Sequence, residues 1–479
     1  MTFLFFLGAP DCLIKDGLSY HSDKSVIIKL IVPVAASKLC KEAEYPKSHS
    51  YIADLSVEIR SFAAIFESTG KTYRDFVIFV LEKIAQKANK MEATQIDIVA
   101  DFYHDLSIKA GTRNSRGQGS RELFTLETFL PDDFEKCFEN NSFKCDLNNC
   151  FARPDILAAW GWQRDYCVTK ERFVIERTNG SFSERLICLQ PNCQSLEEAD
   201  NRIVVHIRDV ICMRGHSSIL VRTNDSDVVV ILISFMVQFL EYNKAASVTV
   251  EFGTGDTRRF ISINECLEHL GENVALALNF FHAFSGADST SSFYRKGKTV
   301  LYNSWMNYPM FEDLTSTFQK LSWLPSDETI KESLLMIQNF LYYVYRPSSN
   351  PSPQNDLDEL RMDLFKSSTT NSFRDLPPST DGLGLHVRRS AYQSGWVWGN
   401  SISQEKCPSI EESGWIVESG KIGFRWSISF DPNMIIKVTK SCKCKQGSSK
   451  TKKCNSCSCA KSNVACLEQC GCVRTCAIK

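Results

Sequence analysis

Residues 196–228 read LEEADNRIVVHIRDVICMRGHSSILVRTNDSDV. Four acids of this stretch form two close pairs, Glu198 with Asp200 and Asp225 with Asp227. Between the pairs lie apolar residues at helical spacing (Ile203, Val204, Ile207, Val210, Ile211), then a short apolar run, 219–221, of strand character. A helix feeding a strand that ends in acids is how an α/β protein gathers carboxylates, because loops converge in the crevice at the strand's carboxyl end. Carboxylate oxygens are the ligands that Mg²⁺ and Mn²⁺ prefer. Clustered carboxylates repel one another unless a cation sits among them. The stretch therefore predicts a divalent-metal site. It fits a plainer reading equally well: surface acids, with Asp225 or Asp227 capping the helix that begins near Val228.

Working outward toward the N-terminus, SYIADLSVEIRSFA (50–63) reads as a strand ending at Asp54 and then a helix carrying Val57, Ile59 and Phe62. Residues 73–88 place Phe76, Val77, Phe79, Val80, Ile84 and Ala85 at helical spacing. Residues 96–100 form a buried-type strand with Asp101 at its carboxyl end. Strand, helix, strand with acids at both strand ends is the beginning of a parallel sheet. The chain then turns basic, with Lys109, Arg113 and Arg116 among glycines 111, 117 and 119. That segment suits holding phosphate beside the acids, or is an ordinary solvated loop. Residues 25–36 read as a strand or buried segment, and 123–134 and 156–162 as helical.

Toward the C-terminus, 227–242 is a buried helix, 246–252 a strand, and 260–270 a strand and helix. A further apolar helix breaks at Gly286 and presents Asp288. His282 reads as a core or capping side chain and not as a ligand. RPSSNPSPQND (346–356) has linker composition. The expected organisation is an unclear segment 1–49, an α/β domain 50–345, a linker 346–383, an aromatic-rich region 384–435 and a Cys-rich tail 436–479. The tryptophans of 384–435 read as core more readily than as a base-stacking platform.

Composition narrows the class. The longest apolar run, 228–240, is too short to span a bilayer. The start, MTFLFFLGAP, lacks the basic region and small-residue cleavage site of a signal peptide. Of 20 cysteines, nine fall within residues 442–476, at CxC and CxxC spacings that point to zinc in a reducing compartment. Net charge is −1, but residues 436–479 hold ten Lys/Arg and one acid, leaving 45 basic against 55 acidic residues in the rest. A basic tail on an acidic body suits a protein that touches nucleic acid through one module.

Taken together, Asp54, Asp101, Glu198, Asp200, Asp225, Asp227 and Asp288 follow an order that resembles the flap-endonuclease (XPG-like) branch of PIN-fold nucleases. EAD (198–200) resembles that family's paired helix acids, NDSD (224–227) its acid-x-acid after a strand, and SGAD (285–288) its Gly-x-Asp ahead of a helical DNA-binding hairpin. The resemblance covers about residues 50–320. EEADNR, NDSDV and HAFSGADS are also similar to pieces recurring in a set of mobile-element-like animal proteins that join such a domain to a Cys-rich tail. The family's Gly-x-Gly hairpin turn is missing, with Gly297 standing alone, and so is its Met-Gly start.

The resemblance implies an α/β, PIN-like parallel sheet flanked by helices and a structure-selective DNA nuclease using two Mg²⁺ or Mn²⁺ ions. Asp54, Asp101, Glu198 and Asp200 would hold one ion and Asp225, Asp227 and Asp288 the other, with Lys109, Arg113 and Arg116 on phosphate. The tail cysteines, Cys442, Cys444, Cys454, Cys457, Cys459, Cys466, Cys470, Cys472 and Cys476, resemble a tesmin-type CXC domain. So short a segment with few apolar residues cannot build its own core, and metal must hold it. Nine thiolates satisfy three tetrahedral Zn²⁺ if three of them bridge. The expected partner is DNA, with RNA the weaker choice, no membrane, and the nucleus as location. The competing expectation is a catalytically inactive DNA- or chromatin-binding protein of mobile-element origin.

Overall fold

The computed structural model describes residues 11–15, 18–41, 44–102, 108, 124–131, 134–186, 196–347, 352, 355–367, 373–418 and 421–426. The expected phosphate ligands Lys109, Arg113 and Arg116, and all nine tail cysteines, lie outside the described residues.

A nine-stranded sheet runs through the molecule. In chain order its strands are β1 (Ser37–Leu39), β2 (Ser50–Asp54), β3 (Gln95–Val99), β4 (Asp165–Lys170), β5 (Phe173–Thr178), β6 (Ser181–Leu186), β7 (Ser218–Thr223), β8 (Ser247–Phe252) and β9 (Arg259–Ser262). Their spatial order is β1-β9-β8-β7-β2-β3-β4-β5-β6. The five central strands, β8 to β4, pair in parallel, and antiparallel strands extend the sheet on both sides. The predicted α/β class with a parallel sheet flanked by helices is what the chain adopts.

Chain order reverses between β2 and β7. From β2 the chain moves to β3 and β4 on one side, then returns to lay β7 against the other side of β2. Such a switch point leaves a crevice at the strands' carboxyl ends. Fourteen α-helices lie among the described residues. They are α1 (Val26–Ile31), α2 (Leu55–Ala63), α3 (Tyr73–Lys90), α4 (Asn141–Phe151), α5 (Pro154–Trp160), α6 (Ala199–Cys212), α7 (Ser226–Tyr242), α8 (Ile263–Leu270), α9 (Glu272–Phe284), α10 (Lys298–Met306), α11 (Phe311–Ser322), α12 (Asp327–Tyr345), α13 (Leu357–Ser367) and α14 (Thr380–Ala391). None is long and apolar enough to cross a membrane.

Local chemistry explains the boundaries. Thr72 and Asp75 form a reciprocal capping box that starts α3. Asp225 accepts from the Asp227 N–H and caps α7, while Asp54 accepts from the Ser56 N–H and caps α2. α7 is apolar on all sides and lies in the core, with Val228 to Ile233 all fully buried. Each such side chain contributes about 1.5–3 kcal/mol on burial.

The structure departs from the sequence reading in three places, and supplies elements in a fourth that the sequence reading leaves unassigned. Residues 25–36 are not a strand: they hold α1, ended by Pro33, whose ring fixes φ and lacks an N–H. Within 123–134, residues 124–131 hold turns and one β-bridge, Thr72 to Phe129, and Phe134 opens a short 3-10 helix, rather than an α-helix. Residues 165–186 form the β4-β5-β6 meander. Of the expected linker 346–383, residues 357–367 are α13, whose Leu357 and Leu360 are buried in the same core as Tyr392, Trp398 and Trp415. α13 packs against α12.

Candidate metal centre

Three neighbouring parallel strands deliver acids to the switch point. Asp54 ends β2, Asp101 follows β3, and Asp225 and Asp227 follow β7. Alternation along β2 and β7 sends the strand residues into the two layers of core, and only the residues at and past the carboxyl ends are released into the crevice. Asp54 takes three donors: Ser56 N at 3.0 Å and Ser56 Oγ at 2.8 Å on Oδ1, and Thr223 Oγ at 3.1 Å on Oδ2. The last bond ties β2 to β7 across the switch point. Asp101 Oδ1 accepts from the Ala199 N–H at 2.8 Å and ties β3 to the start of α6.

Asp200, in the first turn of α6, comes within reach of the β7 acids. Asp200, Asp225 and Asp227 offer carboxylate oxygens that all lie within 4.8 Å of one another. Asp227 is fully buried, with Oδ1 accepting from His282 Nε2 at 2.9 Å. Asp288 joins from the loop after α9. Glu198 occupies the N-cap position of α6, half-buried, and is not one of the three acids that converge most closely.

The electrostatics of the cluster follow what carboxylate crowding predicts. Burial, and then the charge of Asp101, push the Asp54 carboxyl up to about 7. Burial and the neighbouring charge of Asp227 raise Asp225, against the pull of Lys24. The His282 imidazole is pushed down to about 4 by burial and by Lys298, so it is neutral and its Nε2–H donates to Asp227. Its ring also stacks on Trp398, with centroids 5.6 Å apart.

Two residues of this site escape a reading of the sequence. Lys24, from the segment before α1, places its ammonium 3.1 Å from Asp225 Oδ1, 3.0 Å from Asp227 Oδ2 and 3.0 Å from Asp288 Oδ2. Burial by itself would lower its pKa, but Asp227, Asp225, Asp288 and Asp200 together hold it well above the ordinary lysine value. Nothing local marks this lysine, because its partners lie 201 to 264 residues away in sequence. The second residue is His282. It is a core side chain, as its sequence context predicts, but from the core it fixes the orientation of Asp227. An apolar helix with one histidine gives no sign of which strand end it faces.

The donor set fits a divalent ion: hard oxygen ligands, several charges and an open side at Asp225, which is 34% exposed against 0% for Asp227. Beside Asp101 lies a small crevice of about 20 Å³ also lined by Ser56, Arg60, Lys144 and Asn148. A wider cleft lined by Asp327, Arg388, Trp396 and Glu412 lies away from these acids.

A second polar group, Asp97, Cys167 and His206, also has ligand atoms within 4.8 Å. His206 Nδ1 sits 2.6 Å from Asp97 Oδ2, a direct hydrogen bond, and all three residues are buried. Asp97 and Cys167 are register partners on β3 and β4, and His206 descends on them from α6. The Asp97–His206 bond ties the helix to the sheet.

No family model matches the chain, and no curated protein matches it. Among solved structures the chain is similar to the catalytic core of Rad2 in complex with DNA substrate, at 12% identity and a TM-score of 0.28, covering 71% of this chain and 93% of that one. So loose a superposition transfers no residue roles. The role of each acid rests on the contacts its own side chain makes.

Proposed function

We propose that the chain is a divalent-metal-dependent nuclease that hydrolyses phosphodiester bonds in DNA. The observation that carries this reading is the convergence of acids from β2, β3, β7, α6 and the loop after α9 on one crevice, three of them within 4.8 Å. Mg²⁺ or Mn²⁺ held by Asp54, Asp101, Asp200, Asp225, Asp227 and Asp288, with Glu198 at the rim, would activate the attacking water and stabilise the leaving oxygen. The chain's own residues do the positioning. His282 fixes the Asp227 carboxylate, the Thr223 hydroxyl fixes Asp54, and the Ala199 N–H fixes Asp101. A cation in the crevice would favour the ionised form of Asp54, whose carboxyl burial and Asp101 raise to about 7.

Arg60 and Lys144, which line the small crevice beside Asp101, place positive charge near the acids that would attract a phosphate. Lys109, Arg113 and Arg116 would add charge for phosphate, and the cysteine tail, loaded with three Zn²⁺, would deliver the enzyme to DNA in the nucleus. Lysines of the tail contribute affinity that falls with salt.

One observation favours a second reading. The Lys24 ammonium neutralises part of the acid cluster without metal, as a non-catalytic DNA-binding protein would need. The test is cleavage of labelled flap, single-stranded and duplex DNA, and of matching RNA, with Mg²⁺ or Mn²⁺ and again with chelator. Chelator-sensitive cuts in DNA support the nuclease; a folded, zinc-loaded protein that binds all substrates and cuts none supports the second reading.

A further inference from the structure

We propose that Lys24 supplies one of the two positive centres of the carboxylate site, so that the chain binds a single divalent ion. The inference rests on the divalent-metal reading of the crevice. The ammonium touches Asp225, Asp227 and Asp288 at 3.0–3.1 Å, the full set of acids that would hold an ion on that side. A divalent ion on the same oxygens would stand about as close to Nζ as the carboxylates do. At such a separation like charges repel strongly even at an effective dielectric of about 20. Ammonium and ion are therefore alternatives there. Asp54 and Asp101, whose charges oppose each other, are left to take the ion.

The lysine is not a loose side chain that has strayed into the crevice. Its backbone is clamped on both sides. Asp23 Oδ1 accepts from Ser25 N at 2.9 Å and from Ser25 Oγ at 2.7 Å, which shapes the turn into α1. Ser22 donates from N at 3.1 Å and from Oγ at 2.9 Å to Ser292 Oγ, and the Ser292 N–H donates to Tyr20 O at 2.6 Å. Ser292 lies in the loop that carries Asp288. That loop passes Gly286, whose φ is +113° and where a Cβ would stand 2.0 Å from Ser292 Oγ. One clamp thus fixes both the lysine and one of its carboxylates. An exposed solubility lysine needs no such clamp; a lysine serving as a fixed cation does.

The experiment is equilibrium titration of the full-length, zinc-loaded chain with Mn²⁺, the free ion counted by electron paramagnetic resonance. The expected result is one bound Mn²⁺ for the wild type and for Lys24→Arg, and two for Lys24→Met, where the vacated oxygens take a second ion. Two ions in the wild type, or one in Lys24→Met, overturns the role of Lys24 and leaves the metal site standing. No bound ion in any of the three overturns both readings. Should Lys24→Met not fold, acylation of Lys24 in the wild type, read by mass spectrometry, decides the matter. Saturating Mn²⁺ leaves the lysine as protected as before if it is a fixed cation, and exposes it if the ion displaces it.

Discussion

His282→Ala is the substitution whose consequences the structure specifies most fully. It removes the Nε2–H that donates to Asp227 Oδ1 at 2.9 Å, in a place where neither residue is exposed. It also empties the space of an imidazole stacked on Trp398. A hydrogen bond to a charged acceptor contributes about 1.5–3 kcal/mol, and an aromatic-to-alanine cavity costs about 3–5 kcal/mol in total with relaxation. The two overlap, so His282→Ala is expected to lose about 3–5 kcal/mol. His282→Phe keeps the stacking and loses only the donor, about 1.5–3 kcal/mol. The functional effect separates from the structural one. Both variants free the Asp227 carboxylate to rotate out of its contact with Lys24, which upsets the charge balance of the crevice that holds the ion, and loss of such an orienting partner lowers metal affinity about 10–100-fold. Urea unfolding midpoints and Mn²⁺ titrations of the two variants measure the two effects. If His282→Phe binds Mn²⁺ as tightly as the wild type, the histidine is packing alone and the reasoning about Asp227 is refuted.

Other expectations follow from the same geometry. Gly286→Ala meets both a positive φ and Ser292 Oγ, and should lower the unfolding free energy by about 1–3 kcal/mol or more, because strain of that kind is not relieved by a flexible neighbour; a wild-type melting temperature would contradict it. His386 donates from Nε2 to Phe284 O at 2.8 Å, and burial pushes it down to about 3. The folded state therefore keeps it neutral while the unfolded chain protonates it below about 6.5, so this contribution is intact above that pH and is lost as pH falls toward 3. At about pH 4.5 the loss is about 3 kcal/mol, and His386→Leu should flatten the acid limb of a pH–stability curve. Asp54 has the opposite sign. Its raised carboxyl destabilises the metal-free fold as pH rises from about 4 to about 7. Mn²⁺ affinity should accordingly climb with pH until about 7 and then level off, and Asp54→Asn should bind weakly with little pH dependence.

Much of the sheet is legible in the sequence because its signals are local. Apolar strands followed by acids at 54, 101, 225 and 227, with amphipathic helices between, specify a parallel sheet whose strand ends converge. What is not legible depends on partners far away in the chain. β5 and β6 are polar, partly exposed strands, so their periodicity shows no buried face, and only pairing with β4 makes them strands. Lys24 looks like any solvated lysine until α1 and the 286–292 loop fold against each other. The stretch after residue 346 has the composition of a linker, yet Leu357 and Leu360 find a buried surface that no short window reveals. Asp225 satisfies both readings its sequence allows: it caps α7 and faces the crevice at once.

The central claim is that the converging acids perform metal-dependent hydrolysis of DNA. The most direct measurement is the rate of cleavage of labelled flap and single-stranded DNA with Mg²⁺ or Mn²⁺, wild type beside the Asp225→Ala/Asp227→Ala double variant. The account predicts cuts that require the metal and vanish in the double variant while its fold persists. Cleavage that survives in the double variant, or that proceeds with metal removed, would contradict it.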